Sequence, residues 1–308
     1  MEKQEKLLLG AHMSIAGGLH RAVDAAAALQ METVQIFTAS PSQWSVSAVS
    51  AKGKGRTAQH HWRAAPLAAE QVELFRAQLA SHKIAYPLCH ASYLINLASP
   101  DAALWERSVA AMVSELERAE QLGIPYVVVH PGSHTDASEA AGIAKVILAL
   151  DEIHHRTDGL AAQPLLENTA GQGTNLGWRF EQLGAMIAGA KQPDRLGVCF
   201  DTCHAFAAGY PMATAAEYQA LWNAFDAAVG VARIKAIHLN DSKRELGARV
   251  DRHEHIGRGK LGLEPFRRLL GDRRFRKTPL YLETPKGDAE GESWDAVNLR
   301  TLRELVEN

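Results

Sequence analysis

The apolar run Val198–Phe200 ends abruptly on chemistry, with Asp201, Cys203 and His204 in VCFDTCHAFAAGY. An acid, a thiol and an imidazole this close fit a cysteine nucleophile, a metal site or a capped strand end. The same habit recurs along the chain. His12 closes LLLGAH, His90 closes IAYPLCH and His130 follows YVVV. Glu167 follows PLL, while His238 falls in IKAIHLND and Glu283 in PLYLETP. Asp251 and His253 lie in RVDRHEHIGRG, just after the His238 run. Taken singly, such a His is usually a hydrogen-bonded core residue, and such an Asp or Glu a helix N-cap. Together they read differently. Glu167, Asp201, Asp251 and Glu283 gathered without cations would repel one another, lose solvation and take up protons. Imidazoles interleaved with carboxylates make a nitrogen and oxygen donor set that suits zinc, whereas magnesium or calcium favours nearly all-oxygen sites. The set is too large for one ion and implies two or three. Four carboxylates against three divalent ions would leave the site net positive, although the chain carries a formal charge of -2. Phosphate would then be drawn in without a basic fold.

These residues need a scaffold that brings them together. Short apolar runs (LLLGAH, TVQIFT, IAYPLCH, YVVVHPG, PLLENT, LGVCFDTCH, IKAIHLND, PLYLETP) alternate with helix-like stretches such as LHRAVDAAAALQ and WERSVAAMVSELERAEQLG. Near-continuous apolar strands between helices predict a parallel sheet covered on both faces. Eight such units predict an α/β fold, a closed (β/α)8 TIM barrel, whose strand C-termini share one face. That face would carry the metal cluster. A doubly wound sheet is the rival, but AGG near the first run is a poor match for its phosphate-binding turn. The expected organisation is one barrel domain over residues 1–308, with a flexible basic insertion at about 45–61. That insertion carries Lys52, Lys54 and Arg56 and reads as a solvated loop or as a basic arm toward a polyanion. No apolar segment reaches the roughly 18 to 20 residues of a membrane helix, and three cysteines form no even disulfide framework. A cytoplasmic protein is expected. Cys199 falls on the same strand face as Asp201, two residues deeper, and nothing pairs Cys203 with a catalytic base. Both read as small buried hydrophobes.

The motifs GAHMSIAGG, HASYLINL, VVVHPGSH, LLENTAGQGTNLG, VCFDTCHAFAAGY, HLNDSK, RVDRHEHIGRG and LYLET, in this order, resemble the endonuclease IV family of apurinic/apyrimidinic endonucleases. The resemblance runs from about Leu8 to about Glu283. It implies three zinc ions, with manganese as an alternative in one site, and a barrel that cuts DNA 5′ to an abasic site. His90, His130 and Glu167 would hold the first ion. Glu167 would bridge to a second ion, held also by Asp201, His238 and Glu283, and His204, Asp251 and His253 would hold the third. Glu167 would also orient and deprotonate the attacking water. The products would be a 3′-hydroxyl and a 5′-deoxyribose phosphate, and the same site would trim blocked 3′ ends. Tyr93 and Leu94 would wedge into the opened duplex, and His12 would line the pocket rim. The resemblance further implies a monomer acting on double-stranded DNA, nucleoid-associated in a bacterium, with no membrane role. The family's Arg two residues before Trp is Ser42 before Trp44 and His60 before Trp62 here, so Lys52, Lys54 and Arg56 are expected to contact phosphate instead. A divalent-metal sugar isomerase or epimerase of the same barrel type is the alternative, although it has no use for an Asp251–His253 pair. A non-catalytic lesion-binding or zinc-storage protein is the other.

Overall fold

The computed structural model describes residues 7–40, 47–49, 61–63 and 66–307. Eight short parallel strands are β1 (Leu9–Ala11), β2 (Gln35–Ile36), β3 (Leu88–His90), β4 (Tyr126–Val129), β5 (Gln163–Glu167), β6 (Gly197–Asp201), β7 (Ile234–His238) and β8 (Leu280–Leu282). Their order in the sheet is β1-β8-β7-β6-β5-β4-β3-β2. His12 and Gln35 form a parallel bridge just past β1, and the Met13 amide donates to the Gln35 carbonyl at 2.8 Å. The two edge strands therefore meet, and the barrel closes. Their approach is tight: a Cβ placed on Gly10 would lie 2.2 Å from the Thr33 carbonyl oxygen, so only glycine fits.

The enclosing helices are α1 (Leu19–Ala28), α2 (Ala69–His82), α3 (Ala102–Leu122), α4 (Glu139–Arg156), α5 (Phe180–Gly189), α6 (Thr202–Ala208), α7 (Ala215–Ala228), α8 (Glu264–Gly271) and α9 (Trp294–Glu307). Local chemistry sets their ends. Asp101, Ser138 and Thr214 accept amide hydrogen bonds at the starts of α3, α4 and α7, and Gly123 ends α3 in the left-handed conformation. Among the described residues no helix is long and apolar enough to cross a membrane.

Alternation along the strands explains the convergence. Leu88, Val128, Leu165, Cys199, Ala236 and Tyr281 form one buried cluster inside the barrel. Two residues further along each strand stand His90, His130, Glu167, Asp201, His238 and Glu283. Side chains two apart share a strand face, so this second layer also faces the barrel axis, at the C-terminal mouth. The intervening residues, among them Cys89, Val129, Leu166, Phe200, Ile237 and Leu282, belong to the separate core beneath the helices.

Two segments differ from the sequence expectation. Ser47–Val49 pairs antiparallel with His61–Arg63, where the sequence reads as an unstructured insertion. Three-residue strands are too short to display a period of two. Lys52, Lys54 and Arg56 lie outside the described residues. The stretch holding His253 is likewise more than a loop: His253–Glu254 pairs antiparallel with Asp241–Ser242, which ties it to the mouth.

Candidate metal centre

Glu167, at the end of β5, is fully buried and central. One of its oxygens, Oε2, lies 3.3 Å from His90 Nε2 and 3.0 Å from His130 Nε2. Oε1 lies 2.9 Å from His238 Nδ1 and 3.3 Å from His204 Nδ1. Glu283 Oε2 approaches the same His238 Nδ1 to 3.1 Å, and Asp201 Oδ2 lies 3.9 Å away. A second focus forms around Asp251, whose two oxygens lie 3.2 Å from His204 Nε2 and 3.3 Å from His253 Nε2. Donor atoms within 4.8 Å of one another fall into the groups His90–His130–Glu167, Glu167–Asp201–His238–Glu283, Asp201–His204–His253 and Cys203–Asp251–His253. All nine residues implied as ligands by the motifs thus stand at one mouth.

Hydrogen bonds on the far side of each ring orient these imidazoles. His90 Nδ1 donates to the Ala91 carbonyl at 2.8 Å, and His253 Nδ1 donates to the Glu283 carbonyl at 3.1 Å. That leaves each Nε2 as a lone pair facing carboxylates. Likewise, His204 Nδ1 lies 2.9 Å from the Asn168 carbonyl. The Nε2 atoms of His204 and His253 are buried and face Asp251 at 3.2 and 3.3 Å without the geometry of a hydrogen bond. Lone pairs facing anions, and buried nitrogens left unsatisfied, call for protons or cations. The protein alone takes protons. Burial would lower the His204 pKa, but Asp201 and Asp251 hold it well above 6.5. For His238 burial is likewise outweighed, by Cys199, Glu283 and Glu167. Burial would raise Glu167, yet His238 and His130 hold it well below 4.5. A cation in each group would replace those protons, so the donor set fits metal ions.

Asp201 combines the readings that the sequence left open. Its Oδ1 accepts the His204 amide at 2.6 Å, capping α6, while its Oδ2 faces the imidazoles. The Cys203 thiol is pushed up to about 12 by burial and by Asp201, and it donates weakly to the Arg252 carbonyl at 3.7 Å. It stays a thiol despite its nearness to Asp251 and His253. Cys199 lies in the barrel's apolar layer, and burial pushes it to about 12 as well.

Residues 23–305 match the family model described as a xylose isomerase-like TIM barrel. The chain is 46% identical over 300 residues to a curated relative from Geobacter sp. named "Probable endonuclease 4", covering 97% of this chain and 99% of that one. A relative of the same name from Trichlorobacter lovleyi is 48% identical, with 96% and 99% covered. The solved endonuclease IV of Thermus thermophilus superposes with a TM-score of 0.81 at 38% identity, over 97% of this chain and 98% of that chain. This chain belongs to the endonuclease IV family. It is a DNA-cleaving phosphodiester hydrolase. A D-tagatose 3-epimerase-like protein superposes with a TM-score of 0.67 at 19% identity, a likeness of fold alone.

In this member of the endonuclease IV family a cleft of about 300 Å³ opens over the cluster. His12 lines it, 4.3 Å from the Phe37 ring, and burial lowers its pKa. Tyr93 is 66% exposed and stands edge-on to Phe37 at 5.4 Å, with Leu94 beside it half-buried. Sequence reasoning missed Gln35. Its amide donates to His12 Nδ1 at 2.8 Å and to Glu283 Oε1 at 2.5 Å, while its oxygen accepts from His238 Nε2 at 2.7 Å. This fixes the His238 tautomer, with Nδ1 toward the carboxylates. Asn168 and Asn240 were missed as well. Asn240 donates to Asp201 Oδ2 at 2.7 Å and accepts the Glu283 amide at 2.8 Å, and Asn168 brackets the Asp201 backbone. Such outer partners typically change metal affinity about 10- to 100-fold when removed. Gln35→Ala should therefore weaken metal retention by about that factor in chelator competition, with an unchanged far-ultraviolet circular dichroism spectrum. Retention equal to that of the parent would show that the His238 orientation is held by other means.

Proposed function

We propose that this chain is a zinc-dependent apurinic/apyrimidinic endonuclease of base-excision repair, working as a monomeric single catalytic domain with three zinc ions. It cuts the phosphodiester 5′ to an abasic site and removes 3′ blocking groups. The observation that supports this reading best is the pair of foci, one around Glu167 and one around Asp251, within a single cleft. An isomerase needs only the first.

His90, His130 and Glu167 would hold one ion, Glu167, Asp201, His238 and Glu283 a second, and His204, Asp251 and His253 a third. Bound zinc supplies Lewis acidity at the phosphate and lowers the pKa of water toward about 7. Glu167, held ionised among four imidazoles, orients the attacking water and accepts its proton. Asp251 and His253 stand on the opposite side of His204, where charge grows on the leaving oxygen. Tyr93, exposed at the cleft edge, and Leu94 enter the gap left by the missing base, and His12 lines the pocket that receives the sugar. The basic residues Lys52, Lys54 and Arg56 contact backbone phosphate in place of the absent arginine.

The test is an end-labelled duplex carrying one abasic site, cut by protein whose metal content is measured in parallel. The expected result is a single incision 5′ to the lesion, ending in a 3′-hydroxyl, with near three zinc ions per chain. An uncut abasic duplex at full zinc loading, or incision on the 3′ side, would overturn the reading.

A further inference from the structure

Glu283 leads into a short wall of the cleft, Thr284, Pro285 and Lys286. Among the described residues that line the cleft, Lys286 is the one Lys or Arg. Its ammonium lies 2.8 Å from both oxygens of Asp295 in the first turn of α9. The two partners are unequally exposed: the Asp295 side chain is 8% exposed and that of Lys286 49%. A lysine has three N–H donors, and two suffice for the carboxylate. The start of the same helix fixes both segments that flank the cluster. Asn298 donates to Thr284 Oγ1 at 2.9 Å and accepts the Ile256 amide at 3.0 Å. Trp294 stacks on His255 at 3.8 Å. Lys286 is thus a half-exposed cation on a stiff mount, at the mouth where a polyanion would enter.

We propose that Lys286 binds a backbone phosphate of the DNA strand entering the cleft, with Asp295 as its positioning residue. The proposal rests on the reading of the cleft as a DNA site. A lysine meets a phosphate as a point charge, and the gain is binding rather than bond breaking. The effect should therefore fall on KM and on salt dependence.

The test compares the parent protein with Lys286→Met, Lys286→Arg and Asp295→Asn, all at equal zinc content. For Lys286→Met, KM for the abasic duplex should rise about tenfold with kcat within about twofold, and the slope of log affinity against log salt should become shallower by about one. Lys286→Arg should restore the slope. Asp295→Asn keeps the cation but loosens it, so KM should rise several-fold with the slope unchanged. A purely structural tie predicts a lower melting temperature for Lys286→Met with KM and salt slope unchanged, and that result would overturn the proposal. Binding of undamaged duplex, read by fluorescence anisotropy without cleavage, gives the salt slope independently. The role of Lys286 is thereby decided even if the parent protein leaves abasic DNA uncut.

Discussion

Replacing Glu167 with Gln should lower kcat on abasic duplex at least about a thousandfold, within the range for loss of a general base, while the barrel remains folded. The change keeps the side chain's shape and removes its charge. In the native protein that charge faces His90, His130, His204 and His238, all between 2.9 and 3.3 Å. With an amide in place, the first two donor groups each lose an anionic oxygen, and on the proposed mechanism the water loses its proton acceptor. Zinc content should fall as well, by one ion or more per chain. The measurements are single-turnover kinetics and metal analysis on the same preparation. A kcat within tenfold of the parent would remove Glu167 from the centre of the chemistry.

Raising the pH from about 7 to about 8.5 should lower the melting temperature of the metal-free protein and leave the zinc-loaded protein nearly unchanged. His90, His204 and His238 have folded pKa values raised above 6.5. Burial opposes that rise, and the facing carboxylates override it. A raised imidazole pKa contributes stability that is fully present below the unfolded value and is lost as pH climbs through the folded value. His12, His154 and His255 are shifted the other way, so above the unfolded value they are neutral in both states and add no slope. Glu167 and Glu283 are lowered, and their contribution is lost only on acidification below about 4.5. Bound cations replace the imidazole protons, which removes the alkaline loss. The stabilisation by zinc should therefore grow across this window, with protons released on binding. Differential scanning calorimetry with and without chelator measures it. A metal-free midpoint that stays flat or rises would mean that these imidazoles are not charged in the folded protein.

Much of the site could be read from the chain because strand chemistry is local. A run such as PLLE or VCFD shows where apolar packing stops and polar chemistry starts, and in a barrel every such point lies on one rim. The eight strands and the polar residues that end them were legible in that way, whereas the full set of nine donors was implied by the resemblance of the motifs. Gln35 was not: β2 is two residues long, and a glutamine inside TVQIFT looks like a stray polar residue until His238, 203 positions away, lies against it. Asn168 and Asn240 follow donors in sequence and read as turn residues, yet each holds Asp201 from a neighbouring strand. Lys286 reads as a solvated charge until α9 brings Asp295 under it.

The sequence alone determined which side chains end each strand, and hence which chemistry the mouth can hold, because side-chain alternation and strand length are properties of neighbouring residues. Tertiary structure alone decided which nitrogen of each imidazole faces the carboxylates. It also decided that Asp201 both caps a helix and serves the cluster, and that Lys286 stands at the rim. Those outcomes depend on hydrogen bonds between residues far apart in the chain, which form only when the barrel closes.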